Sequence, residues 1–192
     1  AQFSESSQFS TVDVNFEGTL NLNSGFVRLE GGVVSTSNGT LNVNGSNSLL
    51  ELAGEFTSAD LFAINRTNGG ALSATGFWDN SAVTSLNADT ASPLSKGNIL
   101  VGDDLAITGG LLSSGGTSNA LNVAPDGFLE LRDTEVTTTI NLAPTSALLL
   151  ASQDELGAAT APVVLNDAKI NMGGDAFLIV ETDALGNATL DG

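Results

Sequence analysis

The chain contains no histidine, cysteine or tyrosine among its 192 residues, and lysine and arginine together number only five. Without histidine and cysteine, Ser-His-Asp and Cys-His catalytic arrangements and imidazole-based zinc sites are all excluded. Disulfides are excluded too, although the absence of cysteine does not fix the cellular compartment. Carboxylate chemistry is the remaining route to catalysis.

The scarcity of basic residues leaves a formal net charge of −17. Nucleic acid is a poor partner for such a chain, because binding to phosphates needs clustered lysine or arginine. No membrane insertion is expected, since no apolar run approaches the roughly 18–20 residues that span a bilayer. Hydrophobic residues nevertheless make up 41% of the chain, enough for one domain with a sizeable core. Cationic partners, divalent metals and neutral glycans stay open as ligands.

Short segments in which apolar and polar residues alternate recur along the whole sequence, for example at 19–23, 121–123 and 128–131. Gly, Asn, Asp or Ser bound each of them, which is typical of short strands with one buried face. No stretch has a sustained helical period, and only residues 58–64 favour a short turn of helix. The sequence therefore predicts an all-β protein.

Several of these segments repeat. Residues 147–160 return at 176–189, which is 29 residues later, and residues 18–23 and 120–125 return at 39–44 and 139–144. Periods near 20 residues indicate units that must stack to bury their apolar faces. We therefore predict a single-domain parallel β-helix, or β-solenoid, of about nine coils over residues 11–192. The alternative is an antiparallel β-sandwich or jelly roll, which also has short, regularly spaced strands.

Two regions fit the repeat less well. Residues 65–96 match the alternating pattern worst, and we expect an irregular coil or a long loop there. Residues 1–10 are polar with two phenylalanines, and we expect an N-terminal arm or a docking strand.

The Leu-Gly-x-Ala-Thr turns at 156–160 and 185–189, and Gly-x-Leu-x-Leu strands such as 127–131, resemble the passenger β-helices of bacterial autotransporters and related surface adhesins. The resemblance covers most of the chain and is clearest from Ala120 onward. It implies secretion, exposure at the cell surface and, in many members, adhesion.

Carboxylates and isolated cations offer the few candidates for catalysis. Asp103 and Asp104 are similar to the clustered aspartates of polysaccharide hydrolases, but the accompanying Gly-His-Gly and Arg-x-Lys elements are missing, so we expect a solvated turn. Arg66 and Arg132 stand isolated in the sequence, without the cluster of basic residues that would bind an acidic sugar chain. We therefore assign no catalytic residue.

Calcium is the one metal that the sequence suggests. Asp154 and Glu155 occupy the same turn of the repeat as Asp183, and stacked turns can align such carboxylates into a calcium site. The alternative is that they are ordinary turn residues, since the usual calcium-binding loop motifs are absent. No other cofactor is expected.

Two aromatic residues and the chain ends are the candidates for binding and assembly. Phe77 and Trp78 could stack on a sugar ring from an exposed loop, or instead fill the core. Open strand edges at the ends of a solenoid invite pairing with another chain, end to end or by strand exchange. The residues that we assign to this assembly are Phe3, Phe9 and Leu190.

These features favour a non-enzymatic, extracellular or cell-surface β-solenoid with a structural or adhesive role. It would be a self-assembling fibre subunit or part of a surface adhesin, with a glycan or a host surface as its ligand. The alternative is a glycan-binding or polysaccharide-degrading β-helix of the tailspike-like kind.

Overall fold

The computed structural model describes residues 2–3, 7–10, 14–30, 34–85, 92–151 and 161–181, with side chains described from Gly18 onward except at 31–39. In these residues the chain forms 18 strands, one short α-helix and one 3₁₀ helix, so the predicted all-β class is confirmed. Strand pairing in the described residues is parallel, and paired strands lie roughly one repeat apart in the sequence. The fold is thus a β-solenoid rather than the antiparallel sandwich.

The strands are short and follow one another around the coil. In chain order they are β1 (Gln2–Phe3), β2 (Ser7–Ser10), β3 (Val14–Leu22), β4 (Gly25–Glu30), β5 (Val34–Asn44), β6 (Ser48–Thr57), β7 (Ile64–Thr67), β8 (Ala71–Asp79), β9 (Ile99–Thr108), β10 (Leu111–Leu112), β11 (Ala120–Val123), β12 (Phe128–Arg132), β13 (Glu135–Val136), β14 (Thr139–Leu142), β15 (Ala147–Ala151), β16 (Val164–Leu165), β17 (Lys169–Met172) and β18 (Phe177–Val180). Helix α1 (Ser58–Ala63) lies between β6 and β7, and the 3₁₀ helix (Pro93–Lys96) precedes β9.

The strands build three sheets. The main sheet runs in the order β17-β14-β11-β9-β8-β6-β4-β2, and β12, β15 and β18 continue it from β9. A four-stranded sheet, β1-β3-β5-β7, lies in the N-terminal half of the chain, and a three-stranded sheet, β10-β13-β16, lies in the C-terminal half. Strand β9 turns a corner of the coil, because Ile99–Val101 pair with β11 while Asp104–Thr108 pair with β12.

The predicted coil count of about nine is too high. Eight strands, from β2 to β17, stack on the face that repeats most often among the described residues. Paired residues on this face lie between 19 and 30 positions apart, as in Leu121 with Ile140 and Ile140 with Ile170. Most coils are therefore longer than the 20 residues assumed from the sequence.

Two of the sequence repeats coincide with the strand register, and one does not. Gly18 pairs with Gly39, and Ala120 pairs with Thr139, as the repeats predict. The repeat at 147–160 and 176–189 is shifted by one position, because Ala147 pairs with Phe177 rather than with Ala176. Aligning the two copies of the repeat by their matching turn residues therefore predicts a register that is wrong by one residue. Those turn residues lie outside the described residues.

Helix α1 confirms the turn of helix expected at 58–64. Thr57 precedes it and donates from both its backbone N–H and its hydroxyl to one carboxylate oxygen of Asp60, each at 2.7 Å. This capping interaction satisfies polar groups at the start of α1, which connects β6 to β7. None of the helices in the described part of the chain is long and apolar enough to cross a membrane.

Columns of like residues form the core. Residues at one position of successive coils stack inward and are almost fully buried, namely Val27, Leu50, Leu72, Ile99, Leu121 and Ile140. A second inward column follows the corner and consists of Phe56, Trp78, Ile107, Leu131 and Leu150. Each coil therefore buries its apolar residues against the coils on either side of it.

Stacked glycines turn one corner of the coil. Gly54 pairs with Gly76, and both have positive φ, of 105° and 96°. A Cβ atom on Gly76 would lie 2.5 Å from the carbonyl oxygen of Gly54. Only glycine combines this backbone conformation with so close an approach of the neighbouring coil.

Replacing Gly76 by alanine should therefore destabilise the fold through both strain and steric overlap. Backbone strain alone costs about 1–3 kcal/mol, and the contact with Gly54 adds to it. The matched control is Gly116→Ala, because Gly116 has φ of 79° and a Cβ atom added there would meet nothing within 4 Å. Thermal unfolding followed by circular dichroism should show a larger loss for Gly76→Ala, and equal losses would contradict this account of the corner.

Candidate functional site: the open coil and the basic cleft

The last described coil, formed by β16, β17 and β18, has an incomplete core. Met172 and Val180 occupy the inward positions that Leu142 and Leu150 fill one coil earlier. Leu142 and Leu150 are buried, whereas 49% of Met172 and 40% of Val180 is exposed. Apolar residues that the coil geometry directs inward therefore remain accessible at this end. We call β16, β17 and β18 the open coil.

The strands of the open coil also have no described partner on one side. Within the described residues β17 pairs only with β14, β18 only with β15, and β16 only with β13. At the other end of the main sheet, β4 is the one described strand with which β2 pairs. An unpaired strand presents a row of backbone N–H and C=O groups that another strand can bind.

Asparagine side chains bond from coil to coil on the outer surface. The Asn141 amide donates to Asn122 Oδ1 at 2.7 Å, and the Asn171 amide donates to Asn141 Oδ1 at 2.6 Å. A second row in the four-stranded sheet, Asn21, Asn42 and Asn65, bonds in the same direction. Asn171 Oδ1, on the open coil, accepts no hydrogen bond from a described residue. It would accept the next donor if another coil followed.

A cleft of about 390 Å³ lies where β7 meets the segment from the 3₁₀ helix to β9. We call it the basic cleft, because Arg66 and Lys96 line it and none of the described residues in its lining is acidic; the other described lining residues are Thr67, Asn68, Gly69, Gly70, Ala71, Gly97, Asn98 and Asn119. No further described strand joins the four-stranded sheet beyond β7, where Arg66 bonds instead to carbonyl groups of the 3₁₀ helix and the residue after it. The cleft is therefore a consequence of this interruption in the stacking.

Arg66 is held in the cleft by backbone carbonyl groups. Its Nη1 donates to Asn98 O at 2.5 Å, and its Nη2 donates to Gly97 O at 2.9 Å and to Pro93 O at 3.2 Å. Burial lowers the pKa of Arg66 from its ordinary value to about 10, so the side chain is still cationic at neutral pH. Gly97 allows this position, since a Cβ atom there would lie 3.1 Å from Arg66 Nη1.

Lys96 lines the same cleft. Its Nζ donates to the carbonyl oxygens of Phe62 and Ile64, at the end of α1. Burial lowers the pKa of Lys96 from its ordinary value, and the charge of Arg66 lowers it further. The two cations are therefore close enough to repel each other. No described carboxylate forms an ion pair with either, unlike Arg28 and Arg132.

The sequence-based view of Arg66 as an isolated cation is thus wrong. Arg66 and Lys96 are 30 positions apart in the chain, and the coil brings them to one cleft. Arg132 does lie apart from them, and its Nε donates to Glu130 at 2.7 Å. No local sequence motif predicts that these two cations lie together, because their proximity depends on which coils are neighbours.

Trp78 is fully buried, so its assignment as a residue that stacks on a sugar is wrong. Strand β8 continues past Gly76, which places Trp78 inward, where its ring stacks on Phe56 with centroids 6.2 Å apart. Its indole N–H donates to Ser58 Oγ at 2.8 Å. Phe77 points to the other face of β8 and is half-buried, and a binding role for it stays a prediction.

The other predicted site residues are placed only in part. Phe3 and Phe9 lie in β1 and β2, in register with Leu22 and Leu29, but their side chains are outside the described residues, as are Asp154, Glu155, Asp183 and Leu190. In the described part of the chain no three acidic side chains cluster to hold a metal ion. Asp103 and Asp104 are exposed at the corner of β9.

Comparisons of the chain with protein-family models, curated proteins and solved structures gave no match. The β-solenoid is compatible with the resemblance to autotransporter passenger domains, but that family is not shown. The chemistry of the open coil and of the basic cleft is therefore the basis for assigning a function.

Trp78→Ala should destabilise the protein by about 3–5 kcal/mol, as expected when a large buried aromatic residue is removed. Phe77→Ala, one residue away on the opposite face of β8, is the matched control and should cost clearly less. Denaturant unfolding followed by circular dichroism measures both. A Trp78→Ala protein as stable as the Phe77→Ala protein would contradict the inward placement of Trp78.

Proposed function

We propose that the protein is a non-enzymatic, extracellular structural solenoid that assembles end to end through its open coil. The observation that carries this proposal is the exposure of Met172 and Val180 at positions whose equivalents are buried in the preceding coil. Covering such positions with one more coil removes apolar surface from water. The same contact would pair the edges of β16, β17 and β18 that no described strand covers.

A second copy of the chain is the occupant that we propose for the open coil. The main sheet begins at β2 and ends at β17, and all strands between them are parallel. Strand β2 of one copy can therefore extend the sheet beyond β17 of another without reversing strand direction. Such a head-to-tail contact uses two different surfaces, does not close on itself and produces filaments. The result would be a fibre subunit.

The charge of the chain suits a filament with polar sides. A net charge of −17 keeps the sides of neighbouring filaments apart. It also opposes end-to-end contact between copies, and salt screens this repulsion within a Debye length of about 10 Å at 0.1 M ionic strength. We therefore expect assembly to be promoted by salt and by millimolar calcium, through screening or bridging of carboxylates.

In the adhesin form of the proposal, the coil that covers β16, β17 and β18 belongs to a longer chain of the same kind. The solenoid then acts as a stalk that carries binding surfaces along its sides. Both forms use the same contact, a further coil stacked on the open coil, and differ in whether a second molecule supplies it.

The matched pair Val180→Glu and Ile179→Glu tests the proposed assembly. Val180 is in register with the buried Leu150, whereas Ile179 is in register with Leu149 on the outer face, and their exposed fractions are similar at 40% and 46%. A carboxylate at Val180 would have to be buried by the next coil, which is costly for an unpaired charge. A carboxylate at Ile179 would stay in water.

We expect the unaltered protein to form filaments of uniform width in negative-stain electron microscopy and to sediment as a concentration-dependent series. Val180→Glu should remain a single copy under the same conditions, and Ile179→Glu should assemble as the unaltered protein does. Isolated short rods at every concentration, with or without calcium, would contradict assembly between copies. Loss of filaments in Ile179→Glu alone would show lateral association instead.

A further inference from the structure

The basic cleft is positively charged, although the chain as a whole is strongly acidic. The protein has 22 acidic residues and five basic ones, yet two of the five, Arg66 and Lys96, line one cleft in which no described lining residue is acidic. Holding two cations side by side is unfavourable unless an anion lies nearby. The hydrogen bonds to carbonyl groups explain how the side chains are positioned, but they leave the repulsion between the cations in place.

Both cations keep donors that no described residue accepts. Arg66 has five N–H donors and gives three of them to described carbonyl groups, which leaves its Nε–H and one Nη1–H. Lys96 has three donors and gives two of them to described carbonyl groups. The Asn98 side chain accepts from the Ala120 N–H at 2.9 Å through Oδ1, and its amide group donates to no described residue. The cleft can therefore offer several N–H groups to an anion.

Hydrogen-bond acceptors lie beside these donors. Asn68 donates through its amide to Asn44 at 2.8 Å, and Asn119 donates through its amide to the Leu94 carbonyl oxygen at 2.8 Å. Each arrangement fixes the side chain and leaves its Oδ1 without a donor among the described residues. Such oxygens accept hydrogen bonds from hydroxyl groups. The cleft thus combines a cationic part with neutral acceptors.

We propose that the basic cleft binds an acidic sugar, with the sugar carboxylate at Arg66 and Lys96 and its hydroxyl groups at Asn68 and Asn119. A guanidinium group suits a carboxylate because it presents paired N–H donors. The cleft volume of about 390 Å³ lies within the range of small-molecule sites, about 300–1,000 Å³. The site is independent of the open coil, so it would operate in a single copy and in a filament alike.

Isothermal titration calorimetry with digalacturonate tests the proposal directly. A neutral disaccharide and inorganic phosphate serve as comparison ligands, because one lacks the carboxylate and the other lacks the sugar. We expect digalacturonate to bind, more weakly as salt is added, and the neutral disaccharide to give no signal. If phosphate or the neutral disaccharide bound as tightly as digalacturonate, the assignment to an acidic sugar would be overturned.

Lys96→Met should weaken digalacturonate binding roughly tenfold, the effect of losing about one charged hydrogen bond. Lys169→Met is its matched control, since Lys169 is an exposed lysine outside the cleft and the change in net charge is the same. The control should bind like the unaltered protein. Equal weakening in both variants would show a general charge effect and would overturn the site.

Asn98→Asp separates binding from a purely structural role of the cations. Aspartate keeps the oxygen that accepts from the Ala120 N–H and adds a carboxylate beside Arg66. We expect its melting temperature to be preserved or raised, because the added carboxylate lies in a cleft lined by two cations, while digalacturonate binding is lost. Unchanged binding in a folded Asn98→Asp protein, or no binding by the unaltered protein at millimolar digalacturonate, would overturn the proposal.

Discussion

The register between neighbouring coils is the constraint on which the rest of this structure depends. Parallel strands of successive coils lie about 4.8 Å apart, so each residue contacts the equivalent residue of the next coil. Leu121 therefore packs against Ile99 and Ile140, and Asn141 bonds to Asn122 and Asn171. A single coil has almost no core of its own. Each inward apolar residue needs a coil on both sides to be buried. Met172 and Val180, in the last described coil, are therefore exposed, and this exposure is the main basis for the proposed function.

The same register explains why the basic cleft lies where the stacking is interrupted. Along the regular faces each side chain is fixed by its equivalents above and below, and little space remains for a ligand. Beyond β7 the chain departs from this pattern, so that Arg66 bonds to carbonyl groups of the 3₁₀ helix and the segment after it instead of stacking on a like residue. Lys96 bonds to carbonyl groups at the end of α1 and the start of β7. Departure from the repeat thus creates a concave surface whose chemistry differs from that of the other faces.

Much of the fold could be predicted from the sequence, because alternating apolar and polar residues indicate the strands and repeated segments indicate which strands pair. The repeats at 18–23 and 120–125 predict strand pairs that the structure contains. The repeat at 147–160 misplaces its strand by one residue, since matching turns need not keep the same distance from their strands. The sequence leaves Trp78 open between a sugar-stacking loop and the core, and the continuation of β8 past Gly76 places it in the core. No local sequence signal predicts that Arg66 and Lys96 line one cleft, because their proximity depends on contact between different coils.

Contacts between methyl groups of successive coils test the central claim most directly. A methyl–methyl NOESY spectrum of selectively labelled protein can observe Ile99, Leu121 and Ile140, which stack in one inward column. The stacked-coil register predicts cross-peaks from Leu121 to both Ile99 and Ile140. An antiparallel arrangement would instead give cross-peaks between strands adjacent in the sequence, such as Leu121 in β11 with Leu131 in β12, and none from Leu121 to Ile99 or Ile140. That result would contradict the account.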